Sequence, residues 1–129
     1  MRKIAIRKIC YNHQQEIDHL ISKLLFNYDK RLSSKNFKGY VTDTYRGRAY
    51  IREAQFTVPL WAYKQGSDYF TYYTAHEMSH IISWRKNHEN GAHDRAFYEV
   101  FKKLCPCNCQ KYELSYKKRA GISYGVPEK

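Results

Sequence analysis

Residues 67–86 read Ser67-Asp68-Tyr69-Phe70-Thr71-Tyr72-Tyr73-Thr74-Ala75-His76-Glu77-Met78-Ser79-His80-Ile81-Ile82-Ser83-Trp84-Arg85-Lys86. Gln65-Gly66-Ser67-Asp68 marks a turn opening into a helix, with Ser67 or Asp68 as cap. The helix is expected from about Tyr69 to about Lys86. A helix turns about 100° per residue, so Tyr69, Tyr72, Tyr73, His76, Glu77, His80 and Trp84 share one broad face. Two imidazoles four residues apart lie one turn apart and can reach a single ion. Glu77 stands beside them, close enough to hold a water and take its proton. Two histidines satisfied in a core are the plain alternative. Burying both with a carboxylate and no metal is costly, which favours the metal reading.

Zinc suits this donor set, and a catalytic zinc needs a third protein ligand and one open position. Downstream candidates are His88, Glu89, His93, Asp94 and Glu99. His88 would lie about 18 Å from His76 along one helix, too far to share an ion. Asn90-Gly91 breaks the helix, so His93 can turn back. A third helix is expected from about Ala92 to Leu104, stopped by Pro106. Its apolar stripe is Phe97, Val100, Phe101 and Leu104. His93 lies on that stripe and Glu99 points nearly the opposite way, so helix geometry favours His93 over Glu99.

Further out, Ile17, Leu20, Ile21, Leu24, Leu25 and Tyr28 form one stripe of an amphipathic first helix. Asn12 and Gln15 are its expected capping pair, and it should end near Lys30 to Ser34. From residue 40 to 63 the period becomes two, predicting two or three strands. Pro59 lacks an N–H, which predicts an edge position for the strand Phe56 to Leu60. Arg46, Arg48 and Arg52, if on one strand, share a face and form a stripe suited to phosphates. The solvent side of a sheet is the plainer reading. Tyr112 to Tyr116 alternates and is read as one more strand before a basic tail.

The chain has 129 residues, enough for one domain, residues 1–129, with no repeat or linker dividing it. Its net charge of +11 fits either a polyanion partner, such as DNA, or a solvated basic surface. No apolar run is long enough for a membrane span, and the charged start is unlike a secretory signal, so the default expectation is cytoplasmic. Cys105, Cys107 and Cys109 are poorly spaced for disulfides. They are read as thiols, or as ligands of a second metal if Cys10 or a histidine joins them.

The segment Tyr69 to Leu104 resembles the SprT/Spartan-like zinc metallopeptidases. They share a helix bearing His-Glu-x-x-His, then a short loop to a third histidine followed by an aromatic four residues on. Here these are His76, Glu77, His80, His93 and Phe97. The upstream order also fits: a helix, then Arg46 to Ile51 and Phe56 to Trp61. The resemblance implies an α+β fold with a zincin-like core. That core has an N-terminal helix, a small antiparallel or mixed sheet, the metal helix, and a following helix carrying the third ligand. It implies Zn2+ on His76, His80 and His93, with Glu77 as base in peptide hydrolysis. Family members include proteases acting on DNA-bound proteins. The chain departs from the family at Asp94, where Gly is common, and in lacking paired C-x-x-C knuckles. Asp94 could orient His93. A basic nucleic-acid-binding or inhibitory module with a structural metal is the competing expectation, and hydrolysis of a non-protein amide is a third.

Overall fold

Ile17, Ile21, Leu24 and Leu25 are all buried, so the expected apolar stripe anchors the first helix, α1 (Gln14–Tyr28). The computed structural model describes residues 6–29, 36–87 and 95–120. The start of α1 differs from expectation. Asn12 sits in a 3₁₀ turn, Tyr11–His13, and the capping position falls on His13, which makes no side-chain cap. Gln14 is instead drawn to the sheet, donating to the Gly39 carbonyl at 2.9 Å and to Asp18 at 3.0 Å. The helix closes where the Asp29 N–H donates to the Leu25 carbonyl at 2.8 Å.

Three strands follow: β1 (Lys38–Thr42), β2 (Arg48–Tyr50) and β3 (Gln55–Pro59). Their order is β1-β3-β2, with β1 parallel and β2 antiparallel to β3. The strand carrying Pro59 is therefore central, which corrects the edge position expected from proline. The physical reason lies in strand length. The β2 ladder reaches only Thr57, opposite Arg48, so Pro59 falls beyond it and opposes Thr42 alone. A proline at a strand end removes no bond that the neighbour needs. The outer side of β1 is partly closed by the bridge from Ile9 to Thr42 and by the Cys10 N–H on the Val41 carbonyl.

The alternation expected to continue through Leu60 stops at Pro59. A short helix, α2 (Leu60–Tyr63), takes over. Gly66, with φ of +113°, then turns the chain into α3 (Ser67–Asn87). The Gly66 carbonyl accepts from the Phe70 N–H, so Gly66 holds the capping position and Ser67 and Asp68 form the first turn. Every residue of α3 from Thr74 to Ser83 is buried, because the sheet, α1, α2 and the helices that follow all pack against it.

The next helix, α4 (Arg95–Leu104), buries Phe97, Val100, Phe101 and Leu104, the stripe read from the sequence. After the 3₁₀ turn Cys107–Cys109 comes α5 (Gln110–Ala120), where a strand over Tyr112 to Tyr116 had been expected. Helix formers such as Gln110, Lys111, Glu113 and Leu114 outweigh a short alternation. The chain is thus α+β, with five helices and one small mixed sheet among the described residues. No helix there is long and apolar enough to cross a membrane.

Gly39 tests how tightly this sheet is packed. A Cβ at that position would stand 2.4 Å from the ring of Phe56, which is fully buried. Gly39→Ala should lower unfolding free energy by about 1–3 kcal/mol in urea titrations. A variant as stable as the parent would show that the β1–β3 contact is looser than described.

Candidate metal centre

Helical spacing does the first part of the assembly. His76, Glu77 and His80 each offer a ligand atom, and these atoms lie within 4.8 Å of one another. The two imidazole rings are 5.1 Å apart, and all three side chains are buried. The group can hold a metal ion. Phe97 of α4 lies against both rings, at 5.0 Å from His76 and 4.6 Å from His80. Tyr72 and Tyr73 flank His76 from the preceding turn. Aromatic walls keep water scarce and leave the polar atoms to one another.

Two features distinguish the cluster from ordinary core packing. The Oε2 atom of Glu77 is buried without a hydrogen-bond partner among the described residues. Buried acceptors are normally satisfied, so an orphaned carboxylate oxygen is what a missing cation or water would explain. The other feature is Glu113 of α5, whose Oε1 accepts from Nδ1 of His76 at 2.5 Å. That contact commits Nδ1 to Glu113 and makes Nε2 the nitrogen through which the ring could ligate a metal. The residues present therefore fit a divalent ion.

Electrostatics follow from burial. Desolvation pushes the Glu77 carboxyl from its ordinary 4.5 to about 7, with His76 opposing and Glu113 reinforcing the rise. Burial pushes His76 down, but the hydrogen bond and charge of Glu113, aided by Glu77, outweigh it and leave His76 raised.

The other sequence candidates are scattered. His93 and Asp94 lie outside the described residues, as do His88 and Glu89. Glu99 is exposed on α4 and pairs with Lys102 at 3.4 Å, so it does not face the cluster. Arg46, Arg48 and Arg52 are exposed but do not share one strand, so the condition for a one-faced stripe is not met. Arg46 lies in a bend, only Arg48 is in β2, and Arg52 is in the following turn. The backbone is pinned at Gly47, whose N–H donates to the Tyr73 hydroxyl at 2.9 Å, and β2 begins only after it. Cys105 and Cys109 are buried and form no disulfide, and burial pushes the Cys109 thiol up. Among the described residues they join no three-ligand group.

Sequence reading missed Glu113 because its segment was taken as a strand. Read as a helix, the segment offers one weak signal: a lone acidic residue in a basic run, four positions after Cys109. Compared with protein-family models, curated proteins and solved structures, the chain matches none.

The raised Glu77 and His76 values fix a pH trend for protein stripped of metal. Both groups bind protons more tightly when folded, so their stabilisation is complete below the unfolded values and fades as pH rises through the folded ones. For Glu77 that window runs from 4.5 to about 7. Thermal melts in excess chelator should show Tm falling across this window, with a shallower fall in Glu77→Gln. A variant slope equal to the parent's would remove Glu77 as its source.

Proposed function

We propose that this chain is a zinc-dependent peptidase in which Glu77 is the general base. The observation that carries the reading is the buried His76, Glu77 and His80 group with the unpartnered Oε2 of Glu77. Imidazole nitrogens in a tetrahedral site suit zinc, and the resemblance of the sequence to SprT-like peptidases supplies His93 as the third ligand. A bound zinc would supply Lewis acidity toward a carbonyl and would acidify a coordinated water.

The chain's own residues do the rest. His76 and His80 would hold the ion from one face of α3. Glu77 would take the proton from the attacking water at Oε2 and pass it to the leaving amine. Its burial makes the carboxylate more basic than in water, which brings it toward the range a base needs near neutrality. The peptide would bind as an added strand. Phe56 to Pro59 cannot receive it, because β3 is central and offers no edge. The outer edge of β2 is the better candidate. It is docked to α3 through Gly47 and Tyr73, and the Tyr73 ring lies 6.5 Å from that of His76.

A second reading has its own support. The net charge of +11, with Arg46, Arg48 and Arg52 exposed, suits a nucleic-acid-binding module whose metal is structural. It leaves the Glu77 oxygen unexplained, because a purely structural site has no use for it. The two readings also combine if the substrate is a DNA-associated protein.

Glu77→Gln separates them. It should retain one zinc per chain by elemental analysis and lose about 10²–10⁴-fold in cleavage of an unfolded protein substrate. Undiminished cleavage by this variant would take Glu77 out of the mechanism.

A further inference from the structure

α5 buries the wrong residue by ordinary rules. Glu113 is 0% exposed, while its neighbour Leu114 is 51% exposed. Carboxylates are almost never fully buried unless paired, and leucine is among the residues most often inside. An amphipathic helix serving only to cover the core would be rotated to reverse these two. Something on the inner side must therefore favour the carboxylate, and Nδ1 of His76 stands there at 2.5 Å.

The placement of Glu113 is fixed from several directions. Asn108, just before α5, donates to Asp68 in the first turn of α3 at 3.1 Å. Gln110 donates to the carbonyls of Lys102 and Cys105, both at 3.1 Å, and so closes the end of α4. Tyr112 packs edge-on against Tyr69 at 5.0 Å and lies 5.6 Å from Tyr72. Cys109 is buried one turn before Glu113. These contacts set both the rotation and the height of α5 against α3. They hold the carboxylate behind the imidazole without help from the metal.

We propose that Glu113 is a positioning residue of the metal centre, fixing the ring plane and the Nδ1–H tautomer of His76 so that Nε2 is presented to a divalent ion. The proposal rests on the metal-site reading above, and it extends that site to a helix outside the motif. A carboxylate behind a ligating imidazole makes the ring a stronger donor and removes its rotational freedom. A buried pair with no ligand to serve could be replaced by apolar side chains at no loss, so bare stability is a weak reason for its presence. Glu113 touches neither substrate nor reacting atoms and reaches the ion through His76.

The test uses the full chain, with zinc itself as the probe. Zinc affinity is measured by competition with a chromophoric chelator for the parent, Glu113→Gln and Glu113→Ala. The folded state of each is checked by urea titration. Glu113→Gln keeps the shape and an acceptor oxygen but not the charge, so it carries the test if Glu113→Ala does not fold. It should bind zinc about 10–100-fold more weakly. The imidazole nitrogen spectrum of the zinc-loaded parent should show His76 as the Nδ1–H tautomer with a slowly exchanging proton, and this protection should weaken in Glu113→Gln, whose neutral oxygen is the poorer acceptor. Unchanged affinity in folded Glu113→Gln would overturn the proposal and leave the metal site standing. A parent that takes up no zinc would overturn both, and that result is read before any variant is made.

Discussion

Two imidazoles and a carboxylate from one turn of α3 are held where water is scarce, and neighbouring elements answer that constraint. Phe97 covers both rings, so the site is walled by an aromatic edge instead of solvent. Glu113 adds a second carboxylate, hydrogen-bonded to the ring, to the charge that Glu77 already places near His76. Low dielectric strengthens every contact within such a cluster and makes each missing one expensive. This is why Oε2 of Glu77 stands out: it is a buried carboxylate oxygen of the cluster with no hydrogen bond among the described residues.

The sheet is coupled to this centre more closely than its small size suggests. Tyr73 lies one turn before Glu77 on α3 and accepts the Gly47 N–H that leads into β2. A Cβ at Gly47 would stand 2.5 Å from both the Thr57 carbonyl and the Tyr73 ring. Only glycine allows helix, central strand and edge strand to meet so closely there. The spacing between β2 and α3 is therefore set by the Gly47 backbone against the Tyr73 side chain, which leaves little freedom for adjustment. Trp61 adds a second tie, donating to the Tyr45 carbonyl at 2.7 Å beside the same bend.

The parts legible in the sequence were those governed by local period. The stripes of α1 and α4 and the clustering of His76, Glu77 and His80 follow from 3.6-residue geometry alone. The parts that were not legible depend on what lies across the fold. Proline in β3 excluded the centre only on the assumption of neighbours of equal length, and β2 is too short to reach it. The basic residues at 46, 48 and 52 alternate in sequence, but Gly47 breaks the strand that would have aligned them. Glu113 is legible only after α5 is known to be a helix and to rest on α3. Its role comes from a contact 37 residues away in sequence. The α+β class could thus be read, while the strand order and the carboxylate behind His76 required the three-dimensional structure.

That long separation has a consequence for biosynthesis. His76 emerges well before the carboxylate it contacts, with more than thirty residues still to be added. At about 5–20 residues per second, the nascent chain spends on the order of seconds with the histidines made and Glu113 still missing. During that interval His76 lacks its carboxylate partner, and under the positioning role proposed for Glu113 an ion would be held loosely. Under that proposal, maturation of the centre is tied to completion of α5, and a ribosome stalled short of it would display a nascent chain unable to hold an ion firmly.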